Sequence, residues 1–173
     1  MPQSKAILLF SKAPQINRTN RDEPYAALPW EDLDSLFTAM LGDVIENACH
    51  LDNVDIILYR DSMAQSDDFL SRFHDRVDFR NAFDGSFSEQ VQQSVDAAFA
   101  HGYNQIVIIL DNHPLLTSEI MSSVFQQLGY EDDCIVYGPT IEGKPYLLGL
   151  KSNYSNIFSV NGGNPTINPQ LMM

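Results

Sequence analysis

Three stretches carry residue types and spacings that could do chemistry. Asp111-Asn112-His113-Pro114 follows the apolar run from Gln105 to Leu110. A carboxylate there is a hard oxygen ligand that could hold a divalent metal bridging the phosphates of a nucleotide. Asp and Asn ahead of Pro114 and Thr117 are equally good turn and cap formers, so both readings stand, and His113 alone is weak as a ligand or base. Gly138-Pro139-Thr140-Ile141-Glu142-Gly143-Lys144-Pro145 lies between two further apolar runs. Glu142 could be a second metal ligand or a general base, and Lys144 could meet a phosphate as a point charge. The alternative is a β-turn at Glu142-Gly143 with both charges in solvent. Ser11-Lys12-Ala13-Pro14 follows the first apolar run and could offer backbone N–H groups and an ammonium to a nucleotide. A lysine after a strand is otherwise simply solvated.

The elements that must position these stretches are legible from periodicity. Residues 5–10 read as a first buried strand, and residues 11–30 as irregular, punctuated by Pro14, Pro24 and Pro29. Leu33, Leu36, Phe37, Met40, Leu41, Val44, Ile45 and Ala48 keep the three-and-four spacing of one buried helix face. Glu31, Asp32 and Asp34 suit the positive end of that helix. Residues 54–59 predict a second strand, 67–74 a short helix and 77–79 a third strand. Ser86 and Glu89 form a capping box that opens a helix with Phe87, Val91, Val95, Ala98 and Phe99 inside and Gly102 as its stop. Residues 105–110 are the clearest buried strand. Thr117 is expected to cap a helix carrying Ile120, Met121, Val124, Phe125 and Leu128, closed by Gly129. Residues 133–137 and 146–150 read as further strands. Beyond Lys151 the pattern dissolves, and the stretch after Val160 reads as loop.

Strands alternating with helices imply βαβ units and a mainly parallel sheet. The last two strands, joined without room for a helix, make the sheet mixed. The expected fold is therefore α/β, a three-layer α/β/α sandwich around a mainly parallel, mixed sheet. Residues 1–158 form one domain and residues 159–173 a C-terminal tail. In open α/β sheets, ligands sit at the carboxyl ends of the strands, which singles out the loops at residues 11–21, 111–116 and 138–145.

Composition narrows the function classes. The chain has 173 residues, 44% hydrophobic and 19% charged, enough for one domain with a sizeable core. Ten Lys+Arg against 23 Asp+Glu give a net charge of −13. Polyanion affinity rests on neutralising phosphates, so nucleic acid and anionic lipid are not expected partners. A locally basic pocket for one small phosphate ligand remains compatible, because Lys5, Lys12, Arg18 and Arg21 concentrate near the N-terminus. No apolar run approaches the roughly 20 residues that span a bilayer. Cys49 and Cys134 sit in no metal or redox spacing and read as two buried, reduced thiols. A cytoplasmic protein is expected.

Taken in order, these loops resemble the radical-SAM/selenodomain-associated transferase family, a branch of the GT-A-type glycosyltransferase fold. Its members open with F-A-R-x-P-x-x-G-x-x-K-T-R. Phe10-Ser11-Lys12-Ala13-Pro14 matches the start and Arg18 falls on a frequent basic position, whereas Asn20, Arg21 and Asp22 replace the K-T-R triplet. The family's L-G-E-R-M resembles Phe87-Ser88-Glu89-Gln90-Val91, without the arginine. Its G-S-D-S-P-x-L resembles Leu110-Asp111-Asn112-His113-Pro114-Leu115-Leu116, with Asn112 at the Asp position and the carboxylate one residue earlier. Its G-P-A-x-D-G-G-Y-Y-L-I-G-L is best kept, from Gly138 to Leu150. The resemblance covers roughly residues 5–158. It implies transfer of a sugar or nucleotidyl group from an activated nucleotide donor. Asp111 would then hold Mg²⁺ or Mn²⁺, Glu142 would orient the metal or acceptor, and Ser11, Lys12, Ala13, Arg18, Asn112 and Lys144 would hold the nucleotide. The landmarks that survive are apolar strands, prolines and glycines, and those that decay are charged. The alternative is therefore a non-catalytic binding or assembly module on the same fold.

Overall fold

A run such as Ala6-Ile7-Leu8-Leu9-Phe10 has no polar side to offer water, so it is stable as a strand only when both faces are covered. The computed structural model shows this arrangement. It describes residues 4–11, 28–60, 69, 71–110, 115–130, 133–141, 143–154, 158–161 and 164–167. Strand β1 (Lys5–Phe10) lies inside a six-stranded sheet with β2 (Val54–Arg60), β3 (Val77–Asn81), β4 (Gln105–Ile109), β5 (Ile135–Pro139) and β6 (Pro145–Leu150). The order across the sheet is β3-β2-β1-β4-β6-β5. Strands β1 to β4 are mutually parallel. Strand β6 runs antiparallel to both β4 and β5. The three apolar strands β2, β1 and β4 are therefore parallel neighbours, with Leu8 facing Ile57 on one side and Ile108 on the other.

The pleat divides the core in two. Ile7, Leu9, Ile56, Leu58, Val107 and Ile109 face a layer built from α1 (Trp30–Cys49) and α3 (Ser118–Leu128). Ala6, Leu8, Phe10, Ile57, Tyr59, Ile106 and Ile108 face the layer of α2 (Phe87–Ala100). Three layers result, as expected. The capping box at the start of α2 is formed. Ser86 Oγ accepts from the Glu89 amide at 3.4 Å, and the Glu89 carboxylate accepts from the Ser86 amide at 2.7 Å. Gly102 ends α2 at φ +93°, a conformation that disfavours any side chain.

Three expectations need correction. Thr117 stands at the N-cap of α3, but its hydroxyl makes no capping hydrogen bond there. Gly129 closes α3 with a right-handed φ of −75°, so its lack of a Cβ is not what stops the helix. The stretch after Lys151 is not featureless. Tyr154 Oη and Ser152 Oγ donate to Asp133 Oδ1 at 2.6 and 3.3 Å, and Asn153 Nδ2 donates to Asp96 at 3.1 Å. A hairpin of β7 (Phe158–Asn161) and β8 (Asn164–Ile167) follows. It lies against α2 and buries Phe158 in that face of the core. Of the short helix expected at 67–74, Phe69 and Ser71 are helical and residues 61–68 and 70 lie outside the described residues.

Candidate functional site

Parallel strands gather their carboxyl ends on one rim. From β1 the chain winds outward through β2 to β3, then crosses to β4 on the other side of β1. The strand order switches between β1 and β4, the kind of position at which ligands bind in open α/β sheets. Ser11, 3% exposed, continues β1, and its amide donates to the Tyr59 carbonyl at 3.0 Å. Leu110 continues β4, and its amide donates to the Tyr146 carbonyl at 2.9 Å. Because β6 runs back along β4, its first residue and Lys144 stand at the same rim. The flanks of all three sequence-predicted loops therefore meet on the adjacent strands β1, β4 and β6. Of the predicted site residues, Ser11 and Lys144 are brought to this rim. Lys12, Ala13, Arg18, Asp111, Asn112 and Glu142 lie outside the described residues.

The β5–β6 connection is a tight hairpin. The Thr140 amide donates to the Lys144 carbonyl at 2.7 Å, the Gly143 amide to the Thr140 carbonyl at 2.9 Å, and the Lys144 amide to Thr140 Oγ1 at 3.1 Å. Gly143 adopts φ +77°, and the Tyr137 hydroxyl donates to its carbonyl. These bonds tie Thr140 to Lys144 and leave Lys144 exposed at the rim. The Gly149 of the closing motif has a packing role. A Cβ there would stand 2.6 Å from Val124 Cγ1 and 3.1 Å from Val136 Cβ, so glycine lets α3 lie directly on the sheet.

Aromatic rings close the opposite face of the rim. Phe10 stacks on Tyr59 at 5.6 Å and meets Phe87 edge-on at 5.4 Å, and Tyr59 packs on Phe83 at 5.8 Å. The start of α2 is therefore fixed beside the end of β1. Its Glu89 carboxyl is held below the usual carboxylate range by hydrogen bonds from the Ser86 hydroxyl and amide. Ser88, 1% exposed, has a hydroxyl without a hydrogen-bond partner.

The sequence reading missed Arg60. It ends β2, one residue beyond the Tyr59 that pairs with Phe10, and so stands level with Ser11 at the rim. Its only signal in the sequence is a lone cation closing the run Val-Asp-Ile-Ile-Leu-Tyr-Arg. Among the described residues no group of three His, Cys, Asp or Glu could hold a metal ion. A metal centre here would draw on the carboxylates of Asp111 and Glu142, whose flanking residues end β4 and precede β6.

Such a mixed six-stranded sheet with flanking helices defines a protein of GT-A-like, nucleotide-diphospho-sugar transferase fold. Residues 44–161 match the family described as uncharacterized protein conserved in bacteria (DUF2064), and the chain belongs to that family. A provisionally assigned nucleotide-diphospho-sugar transferase from Desulfovibrio desulfuricans G20 superposes with a TM-score of 0.74 at 18% identity, over 98% of this chain and 74% of that one. A cytidylyltransferase from Leptospira borgpetersenii serovar Hardjo-bovis superposes with a TM-score of 0.53 at 14% identity, over 86% of this chain and 60% of that one. No curated protein is detectably similar. Among the described residues no helix is long and apolar enough to cross a membrane.

Proposed function

We propose that the chain binds a nucleotide-activated donor at the carboxyl ends of β1 and β4 and transfers its sugar or nucleotidyl group. The observation that carries this reading is the meeting of the three loop flanks on β1, β4 and β6 at the topological switch point. The names of the structural neighbours agree with it. The likeness of the closing motif from Gly138 to Leu150 to that of the radical-SAM/selenodomain-associated transferases supports the same reading. With two free thiols, the cytoplasm is the compartment we assign.

In this reading Asp111 would hold Mg²⁺ or Mn²⁺, and Glu142 would orient the metal or the acceptor. The metal would supply charge neutralisation for a diphosphate leaving group. The protein's own groups do the rest. Backbone N–H groups at Lys12 and Ala13 orient the phosphates, since the Ser11 amide is already held by the Tyr59 carbonyl. Lys12, Arg18 and Lys144 offset their charge, and Asn112 hydrogen-bonds the nucleotide. For sugar transfer, an acceptor oxygen attacks the anomeric carbon and the carbon–oxygen bond to phosphate breaks with its electron pair. Glu142 takes the acceptor's proton.

Nucleotide binding with Mn²⁺ must raise the melting temperature, because a ligand that binds only the native state stabilises it by RT ln(1 + [L]/Kd). The shift should be metal-dependent and lost in Asp111→Ala. No shift with any of the UDP, GDP, CDP or ADP series would sink the donor-binding reading. The second reading, a non-catalytic module, is favoured by one observation. The middle motif's arginine is replaced by Gln90, whose Nε2 donates to the Gly85 carbonyl at 3.2 Å, so that side chain serves the local loop. Nucleotide binding without turnover of any donor would support that reading.

A further inference from the structure

We infer that Arg60 is a phosphate-binding residue of this cleft, supplying a cation from the end of β2; the inference rests on the cleft binding a phosphorylated ligand. The other arginines described provide the comparison. Arg72 reaches Glu46 at 3.0 Å, Arg76 donates to the Cys49 carbonyl, and Arg80 places two nitrogens on Asp78 Oδ2 at 2.8 and 2.7 Å. In a chain of net charge −13, carboxylates are not scarce. Yet among the described residues the buried Arg60 Nε has no hydrogen-bond partner and no carboxylate pairs with its guanidinium. A buried charged donor left unmet is costly and calls for an explanation.

The geometry suits an oxyanion. The Arg60 guanidinium lies over the Phe79 ring, 5.7 Å from its centroid. Stacking engages the face of a guanidinium and leaves its N–H edge for an acceptor in the plane. Nε belongs to the fork that grips two oxygens of one phosphate. The backbone is held on both sides. Arg60 pairs with Asn81 of β3, its carbonyl accepts from the Ala82 amide at 2.7 Å, and the preceding Tyr59 carbonyl accepts from Ser11. Alternation along β2 puts Leu58 and Arg60 on the α1 face, and alternation along β1 puts Leu9 and Ser11 on that same face. The guanidinium now leans toward β3 over Phe79; adjacent strands lie about 4.8 Å apart, so an arginine at the end of β2 reaches a phosphate above the end of β1 by swinging across its own strand.

The test follows the Arg60 Nε–Hε resonance by NMR, assigned through its loss in Arg60→Lys, while inorganic pyrophosphate, UDP, GDP, CDP, ADP and the free nucleosides are titrated in. Pyrophosphate or a diphosphate should move it and nucleosides should not. Arg60→Gln should weaken phosphate binding at least about tenfold, about 1.4 kcal/mol, with Arg60→Lys intermediate because it keeps the charge and loses the fork. Unchanged melting curves confirm that each variant folds. A resonance unmoved by every phosphate probe, or an affinity indifferent to Arg60→Gln, overturns the inference. Nucleotide binding indifferent to Arg60→Gln overturns it while leaving the donor-binding reading intact. Pyrophosphate binding through Arg60 that no nucleoside moiety strengthens does the reverse.

Discussion

Tyr103 shows how a single side chain carries pH dependence in this fold. Its hydroxyl donates to Asp55 Oδ2 at 2.7 Å, joining the approach to β4 with the start of β2. Burial, and then the Asp55 acceptor, push its pKa from 10.0 up to about 12. The folded state therefore holds this proton more tightly than the unfolded state, and stability from it is fully present below the unfolded value. It is lost as pH rises through the folded one, a window of about 10 to 12. Tyr103→Phe should cost roughly 1 kcal/mol at neutral pH and flatten the alkaline decline across that window. Urea melts of both proteins at several alkaline pH values measure it, and parallel declines would show that the pair does not form. Neither Tyr103 nor Arg60 stood out in the sequence. What distinguishes them is which residue lies across a strand boundary 48 positions away for Tyr103–Asp55, or the absence of any such acceptor for Arg60. Residue type reveals that a group could ionise or bind, whereas tertiary register decides whether its valence is already used.

Elements were more legible than partners, because periodicity and caps are local. The continuous apolar runs at β1, β2 and β4 announced strands buried on both faces, and Ser86 with Glu89 announced the start of α2. The C-terminal hairpin was missed although its signal is present. Gly162-Gly163 separates Asn161 from its partner Asn164, a spacing typical of two-residue hairpins. Pro165 and the polar flanks obscured it, since proline is tolerated in strands chiefly at edges. Phe158 anchors the hairpin, being 6% exposed in the α2 face of the core. Phe158→Ala should cost about 3 kcal/mol and raise amide exchange across β7 and β8 before the sheet is affected. Equal protection in the two proteins would detach the hairpin from the core. The closing motif makes a second element-scale prediction. Gly149 is buried between β5, β6 and α3, with Val124, Val136 and Leu128 within 3.2 Å of where a Cβ would stand. Gly149→Ala should destabilise by about 1–3 kcal/mol through overpacking, seen as a lower urea midpoint at unchanged slope. A neutral result would show that α3 can lift from the sheet, and that this glycine is not kept for packing.

At the scale of the whole molecule, charge opposes the proposed ligand. A nucleotide diphosphate sugar is an anion approaching a protein of net charge −13, and a field of that sign lowers its local concentration at the cleft. Positive groups at the rim work only at short range. Lys144 stands there, Arg60 ends β2, and Lys12 and Arg18 belong to the loop that follows β1. The two contributions separate by ionic strength. Added salt screens the long-range repulsion over a Debye length of about 10 Å at 0.1 M, whereas a partly buried Arg60 contact is screened less. Affinity for an anionic donor should therefore hold steady or rise between low and moderate salt, opposite to the steep fall of proteins that bind polyanions through exposed lysines. The donor affinity itself should be weak, with Kd no better than about 1 mM, or roughly −4 kcal/mol. The K-T-R triplet and the middle arginine are both replaced, and the first-loop cations remaining must offset a diphosphate against the whole field. Calorimetry with UDP-, GDP-, CDP- and ADP-sugars, with and without Mn²⁺ and at two salt concentrations, measures both quantities. Micromolar, metal-dependent binding abolished by Asp111→Ala would show that one carboxylate and its metal outweigh the net charge. Turnover of the bound donor would then make the non-catalytic reading give way to the transferase.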